Sequence, residues 1–339
     1  MTRLVLVHGR DNQGLDPEEL ERTWLTALRA GLHAAGTPRR LSDDDASFVY
    51  YGDTLAALAR GDVAPPVTVH AVPGATDLGA TDPGVNGLGA TDLGALPEDE
   101  LAFLVDVARE VLRGAGVDDA GAHDARAVRP SGVGVDLGGL GGVANRLLSA
   151  LDRYVPGLSG VALLLLVRDV WAYVHDPDVR RPIDDALTAA MPTDEPAVVV
   201  AHSLGSVVAY SVLREHDLRR PGGGADWDVP LLVTLGSPLA VRAVRDVLAA
   251  RAPLRVPSSV HRWVAARDPR DALALHDLGP RELPLGPGSA VIEELVVDNR
   301  APGHHAAALL LPDGVAAGYL AVPEVARVVG AALPAGAAT

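Results

Sequence analysis

The sequence predicts an α/β protein with a mostly parallel, doubly wound sheet. Two observations carry this prediction. Short apolar, β-branched runs alternate with segments of helical periodicity along the 339 residues, as in proteins whose parallel strands are joined by helices. Several of these runs also stop abruptly at turns that contain glycine or serine. A chain of this length buries a sizeable core, and we expect a single domain over residues 1–339.

The first strand is predicted at Leu4–Val7 and the first helix follows it. Asp16 suits the N-cap of this helix, and Pro17 suits its first position, where a missing N–H has no consequence. Large apolar residues recur every four positions and form the buried stripe, namely Leu20, Trp24, Leu28 and Leu32. Further strands are predicted at 48–51, 197–201, 231–235, 260–265 and 291–297, and further helices at 101–112, 143–154, 161–174, 204–215 and 239–251.

Residues 73–160 differ from the rest and predict an insertion that caps the sheet. The insertion begins with a Gly-rich stretch at 73–96, in which Gly-Ala-Thr-Asp occurs at Gly74, Gly79 and Gly89. This stretch has neither helical nor strand periodicity, so we expect a flexible loop. The predicted helices that follow it precede the central strand and are placed to lie over a site.

The charged residues exclude several kinds of chemistry. All 29 Lys+Arg residues are arginine, and 44 Asp+Glu residues bring the net charge to −15. Without lysine, the chain cannot form a Schiff base, use a lysine nucleophile or build a P-loop. Since the chain has no cysteine, thiolate catalysis and thiolate metal sites are excluded as well. The acidic field repels phosphate backbones, so we expect no nucleic-acid partner.

We find no targeting or membrane signal in the sequence. The apolar run Leu4–Val7 is shorter than the roughly 7–15 residues of a secretory h-region. The longer run Val161–Val167 falls short of the about 20 residues that span a bilayer. We therefore expect no integral membrane association and a cytoplasmic location.

The segment that carries the chemistry runs from residue 197 to residue 210. A β-branched run enters a tight turn there, a helix leaves it at once, and Ser203 stands at the apex. The turn reads Ala201-His202-Ser203-Leu204-Gly205. Small residues two positions before and after the serine let strand and helix approach, and the strained turn presents Oγ above the sheet edge. The helix N-terminus favours developing negative charge, so we interpret Ser203 as a nucleophile.

Two more motifs follow predicted strands, Val7-His8-Gly9-Arg10 and Leu235-Gly236-Ser237-Pro238. With the turn at Ser203, they resemble the α/β-hydrolase fold, and more narrowly the lipase/esterase-like serine hydrolases, including bacterial relatives of GPI-inositol-deacylase-type enzymes. The resemblance leaves out residues 73–142. It implies a Ser-His-Asp triad that hydrolyses carboxylic esters or thioesters. It also implies an oxyanion hole formed by the backbone N–H groups of Arg10 and Leu204.

The acid in this fold follows a later strand, between serine and histidine in chain order. The predicted strand at 260–265 is followed by two candidates, Asp268 and Asp271. Relatives often carry an aliphatic residue two positions after the acid, and Leu273 stands in that relation to Asp271. Asp268 precedes Pro269, a combination typical of turns. We favour Asp271 and keep Asp268 as the alternative.

The base is expected after the last predicted strand, where the chain reaches His304 and His305. Related sequences often place the histidine shortly before a Gly-Tyr-Leu, but here Gly318-Tyr319-Leu320 lies beyond an insertion at 306–317. We favour His305 and keep His304 as the alternative. Adjacent histidines rarely bind one ion and no HExxH-like helix is present, so we expect no metal. No cofactor is expected either.

The predicted function is hydrolysis of a small-molecule or lipid-like acyl ester through an acyl-enzyme on Ser203. Two alternatives keep the same fold. One is a non-catalytic binding scaffold, and the other is an acyltransferase that uses the same triad. The sequence leaves the acyl chain, the leaving group and the oligomeric state open.

Overall fold

A computed structural model of the chain describes residues 2–10, 12–37, 41–70, 93, 96–117, 139–155, 159–219, 227–274, 276–279, 281–283 and 290–333. The Gly-rich loop predicted at 73–96 lies outside these residues, except for Leu93 and Leu96. The helices of the predicted cap and all residues predicted for the site lie within the described residues.

Seven strands of the described residues form one sheet in the order β3-β2-β1-β4-β5-β6-β7. All neighbours are parallel except β2 and β3. The strands are β1 (Arg3–Val7), β2 (Ala46–Tyr50), β3 (Thr68–His70), β4 (Ala197–His202), β5 (Leu231–Leu235), β6 (Trp263–Arg267) and β7 (Ile292–Val296). The sheet grows one way from β1 and the other way from β4. Open α/β sheets bind ligands outside the carboxyl ends of the strands at such a reversal.

Helices cover both faces of the sheet, because alternate apolar side chains of its strands point to opposite faces. Leu4 and Leu6 of β1 pack on one face, while Val5 and Val7 pack on the other. The first face is covered by α1 and α9, and the second by the helices from α2 to α8. The helices are α1 (Pro17–Ala34), α2 (Gly52–Leu58), α3 (Glu98–Gly114), α4 (Gly139–Tyr154), α5 (Gly160–His175), α6 (Pro177–Ala190), α7 (Leu204–Arg219), α8 (Arg242–Arg251) and α9 (Pro323–Ala332).

The structure confirms the predicted start of α1. The side chain of Asp16 accepts the backbone N–H of Glu18 at 2.8 Å and that of Glu19 at 3.2 Å, and Pro17 opens the helix. The other predicted strands and helices are also present, with ends that differ by a few residues. Five boundaries differ by three or four residues, and two of them are the starts of α3 and α4, which begin at Glu98 and Gly139 and not at residues 101 and 143. The strand predicted from residue 260 begins at Trp263, the helix predicted from residue 239 begins at Arg242 after a 3₁₀ turn, and α7 extends to Arg219.

Several elements are not predicted by the sequence patterns. They are β3, α2, α6, α9 and a two-stranded hairpin formed by β8 (Leu309–Leu310) and β9 (Ala316–Ala317). Most of them are short, so they show little periodicity. Pro182 inside α6 is a residue that normally ends a helix, which hides that helix from a pattern search.

The helices that follow the loop at 73–96 pack against one another. Leu104 and Ala108 of α3, Leu151 of α4 and Leu163 of α5 belong to one buried apolar cluster. None of the helices among the described residues has the length and apolar composition needed to cross a membrane.

Gly31 gives a test of how α1 packs on the C-terminal segment. A Cβ at this position would lie 2.5 Å from the carbonyl oxygen of Leu320 and 2.7 Å from the Cβ of Ala326. We expect Gly31→Ala to lower the free energy of unfolding by about 1–3 kcal/mol, as overpacking in a core does. Urea unfolding measures the change. Gly114→Ala, at the exposed end of α3, is the control and should leave stability unchanged or raise it. A Gly31→Ala protein as stable as wild type would contradict this packing.

Candidate active site

Ser203 occupies a strained turn between β4 and α7. Its φ is 50°, in the left-handed region that residues with a side chain rarely adopt. The turn is held by its own backbone, because the N–H of Ser203 donates to the carbonyl of Leu235 on β5 at 3.0 Å. The helix that follows starts at Leu204, so the N-terminal end of α7 lies directly after the hydroxyl.

Gly205 is required for a different reason from the one expected. The turn motif predicts a small residue here because β4 and α7 approach closely. In the structure, a Cβ at Gly205 would lie 2.2 Å from the carbonyl oxygen of His8 and 2.6 Å from that of Val7. The glycine therefore makes room for the end of the neighbouring strand β1.

Ser203, His305 and Asp271 lie in one hydrogen-bonded row. The Nε2 of His305 is 3.0 Å from the Oγ of Ser203, and its Nδ1 is 2.8 Å and 3.0 Å from the two carboxylate oxygens of Asp271. A carboxylate only accepts hydrogen bonds, so this network assigns the proton to Nδ1 and leaves Nε2 as the acceptor for the serine hydroxyl. The three residues follow β4, β7 and β6, whose carboxyl ends share one edge of the sheet.

The carboxylate of Asp271 is fully buried and has two further donors. The Tyr319 hydroxyl donates to it at 2.7 Å, and the backbone N–H of Leu273 donates at 3.0 Å. Gly236, with φ at 54°, passes so close that a Cβ would lie 2.8 Å from this carboxylate and 3.1 Å from the Nδ1 of His305. The sequence does not predict this role of Tyr319, although the Gly-Tyr-Leu motif that contains it is a signal.

The alternative residues Asp268 and His304 lie beside each other instead. The carboxylate of Asp268 accepts the Nη2 of Arg270 and the backbone N–H of Asn299, both at 2.7 Å. Burial opposes its ionisation, but these donors outweigh burial and lower the pKa of Asp268. The Nδ1 of His304 is 3.9 Å from Asp268 and donates to the carbonyl of Asn299 at 2.8 Å. Within the described part of the chain, neither residue hydrogen-bonds to Ser203.

The loop that carries His305 is held at three successive carbonyl groups. The buried side chain of Asn299 donates to the carbonyls of His304 and Ala306, each at 3.0 Å. The Nε2 of His202 donates to the carbonyl of His305 itself at 2.6 Å. The sequence predicts neither contact, because each joins residues that are distant in the chain or that belong to the turn at Ser203.

His8 and His202 are neutral imidazoles beneath the site. The Nε2 of His8 accepts the backbone N–H of Tyr51 at 3.0 Å, and the Tyr51 hydroxyl donates to the carbonyl of His8 at 2.5 Å. Burial lowers the pKa of His8 to about 4. Burial, together with the nearby His305, also places the pKa of His202 well below its usual range.

The positions expected for an oxyanion hole lie next to the serine. A Cβ on Gly9 would lie 2.8 Å from the Cβ of Ser203, so the peptide joining Gly9 to Arg10 packs against the turn at Ser203. Leu204 is the first residue of α7, where backbone amides have no partner within the helix. The side chain of Arg10 reaches α5, where its Nε donates to the carboxylate of Asp169 at 2.8 Å.

The exposure of the serine differs from the expectation. The turn motif predicts that Oγ stands above the sheet edge, but Ser203 has no accessible surface. The side chain of His305 keeps 25% of its surface exposed. Solvent therefore meets the site at the imidazole and not at the hydroxyl.

No group of three or more His, Cys, Asp or Glu side chains in the described residues is arranged to hold a metal ion. Comparison of the chain with protein-family models, with curated proteins and with solved structures finds no match. A function for this chain therefore has to be inferred from the geometry of its site.

The neutral state of His8 predicts sensitivity of the fold to acid. Its pKa is about 4 in the fold against 6.5 in the unfolded chain. The stability contributed by neutral His8 is therefore complete above pH 6.5 and is lost as the pH falls from 6.5 to 4. At 1.36 kcal/mol per pKa unit, the loss between pH 7 and pH 4.5 is about 2–3 kcal/mol.

His8→Gln tests this prediction, because the amide oxygen of Gln can accept the Tyr51 N–H but cannot be protonated. Urea unfolding at pH 7 and pH 4.5 should show a smaller loss of stability on acidification than in wild type. His33→Gln, at an exposed position in the last turn of α1, is the control and should leave the loss unchanged. An equal loss in the His8→Gln and wild-type proteins would show that His8 does not titrate as described.

Proposed function

We propose that this chain is an α/β-hydrolase-type serine hydrolase that cleaves carboxylic ester or thioester bonds. The observation that carries the proposal is the hydrogen-bonded row of Ser203, His305 and Asp271. Support comes from the strained turn that holds the serine and from the position of the row at the strand-order reversal between β1 and β4. The chain order Ser-Asp-His is that of the α/β-hydrolases.

The proposed reaction has two halves. In the first, the Nε2 of His305 takes the proton from Ser203 as Oγ attacks the acyl carbon, and then gives it to the leaving group as the acyl–oxygen or acyl–sulfur bond breaks. In the second, His305 takes a proton from the water that attacks the acyl carbon, and returns this proton to Oγ as the acyl–Oγ bond breaks, which releases the acid and the free serine. The carboxylate of Asp271 keeps the imidazole oriented and stabilises the imidazolium. The N–H groups of Arg10 and Leu204 stabilise the oxyanion.

A small apolar cavity lies near the site, and its accessible space, which is room for about one water molecule, would have to widen to admit an apolar acyl group. The cavity lies between α3, α5 and the start of α8, and one of its walls is Leu273, whose N–H donates to Asp271. Its lining contains only apolar side chains, namely Phe103, Val107, Val111, Leu166, Val167, Val170, Pro238, Val241, Val244 and Leu273. A lining of this kind favours hydrocarbon over charged groups.

The burial of Ser203 favours one second candidate, acyl transfer to an acceptor other than water. Ser203 has no accessible surface, so water reaches an acyl-enzyme there only past the groups that cover it, and another nucleophile held in that space competes with water. The first half of the reaction is unchanged, and only the second half differs. Product analysis with and without an added alcohol or amine separates transfer from hydrolysis.

Ser203→Ala tests the nucleophile. We expect kcat for p-nitrophenyl esters to fall by roughly 10⁴–10⁶, because all covalent catalysis is lost. A fluorophosphonate probe, which reacts only with an activated serine, should label the wild-type protein and not the variant. Circular dichroism and thermal unfolding check that the fold is intact. A wild-type protein that resists the probe would indicate a non-catalytic binding scaffold.

The two aspartates are distinguished by matched substitutions. Asp271→Asn should lower kcat by about 10³–10⁴, because the amide favours the wrong imidazole tautomer. Asp268→Asn should mainly lower stability, because it weakens contacts with Arg270 and with the backbone of Asn299. Steady-state kinetics and urea unfolding of both variants provide the comparison. A larger loss of kcat in Asp268→Asn would reverse the assignment of the acid.

A further inference from the structure

We propose that Asn12 and Ser206 are positioning residues that aim the two oxyanion-hole amides, an inference that rests on the proposed hydrolase function. Each side chain hydrogen-bonds to the carbonyl oxygen of one peptide group. The N–H of that peptide group is one of the two proposed donors to the oxyanion. A trans peptide group is planar, and its N–H and C=O point in opposite directions. Fixing the carbonyl therefore fixes the direction of the N–H.

The first peptide group joins Gly9 to Arg10. Its carbonyl oxygen accepts the Nδ2–H of Asn12 at 3.0 Å, and the same amide donates to the carbonyl of Arg10 at 2.9 Å. The Nδ1 of His8 is also bonded to the Gly9 carbonyl. The Nε2 of His8 accepts the N–H of Tyr51, so the proton of His8 is assigned to Nδ1. Nδ1 therefore donates to the Gly9 carbonyl. Two donors thus hold the carbonyl, and the N–H of Arg10 points away from them.

Asn12 is itself fixed in place. The hydroxyl of Tyr50, at the end of β2, donates to the backbone carbonyl of Asn12 at 2.6 Å. Burial and the nearby charge of Asp53 raise the pKa of Tyr50 above its usual range, so the hydroxyl stays protonated and remains a donor. Asn12, whose side chain orients the first donor, is therefore anchored to β2 through its backbone.

The second peptide group joins Ser203 to Leu204. Its carbonyl oxygen accepts the backbone N–H of Ser206 at 2.9 Å and also the Ser206 hydroxyl. The Oγ of Ser237 lies 2.7 Å from the Oγ of Ser206, and both serines are buried. Since the Ser206 proton goes to the carbonyl, the Ser237 hydroxyl donates to Ser206. This chain of hydroxyls holds the carbonyl inside the protein and leaves the N–H of Leu204 directed out of the helix end.

Asn12→Asp tests the first half of the proposal. The change keeps the shape of the side chain but replaces its donor with an oxygen that faces two carbonyl oxygens. We expect kcat to fall by about 10–100-fold with KM little changed, since the loss falls on the oxyanion and not on substrate binding. The affinity for a trifluoromethyl ketone, which forms an oxyanion on Ser203, should fall in parallel. Gln13→Glu, the same chemical change at the exposed neighbouring residue, is the control and should have no effect.

Ser206→Ala tests the second half. The backbone N–H of residue 206 still reaches the Ser203 carbonyl, so a smaller loss of kcat is expected, about 3–10-fold. Ser211→Ala removes another buried hydroxyl from the same helix and should leave kcat and inhibitor affinity unchanged. A role limited to stability would change the unfolding midpoint and leave the ratio of inhibitor affinity to KM unaltered.

The outcomes separate this inference from the proposed function. If the wild-type protein cleaves esters and both variants keep its kcat and its affinity for the ketone, the inference is wrong and the proposed function stands. If the wild-type protein neither cleaves esters nor reacts with the fluorophosphonate probe, the proposed function fails and the oxyanion role fails with it. A crystal structure of Asn12→Asp adds a readout besides activity. A rotated Gly9–Arg10 peptide supports the proposal, and an unrotated one overturns it.

Discussion

The candidate site depends on how closely the ends of β1 and β4 approach each other. The two strands are parallel neighbours, so the turns that follow them meet at one edge of the sheet. No side chain separates these turns, because glycine occupies positions 9 and 205, where a Cβ would overlap Ser203 and the carbonyl of His8 respectively. A larger residue at either position would push β1 and α7 apart. It would also separate the amide of Arg10 from the hydroxyl of Ser203.

A second constraint is the buried charge of Asp271. A carboxylate without solvent is tolerated only where hydrogen bonds replace the lost water. The donors come from His305, Leu273 and Tyr319. Burial and the nearby Asp271 raise the pKa of Tyr319, so its hydroxyl remains a donor. The same contacts that make the charge tolerable also fix the imidazole, so the stability of this region and the geometry of the site have one origin.

The parts that the sequence predicts are those with local signals. The N-cap at Asp16 and the turn at Ser203 each depend on a few adjacent residues, and both are present. The sequence leaves the choice between His304 and His305 open, because neighbouring residues share every local signal. In the structure, His304 adopts a left-handed φ of 58° and its imidazole is bonded to Asn299. That contact, like the role of Tyr319, depends on residues that only the folded chain brings together.

The segment between His305 and Gly318 shows why spacing along the chain was a poor guide. Residues 306–317 include the hairpin of β8 and β9, which returns the chain to its starting point. The N–H of Tyr319 donates to the carbonyl of Ala306 at 3.1 Å, and that of Leu320 donates to Ala307 at 2.9 Å. Lengthening a loop whose ends are already closed adds little entropy cost. The Gly-Tyr-Leu segment thus reaches the site despite the intervening residues. The hairpin adds residues to the sequence but keeps its two ends close together in space.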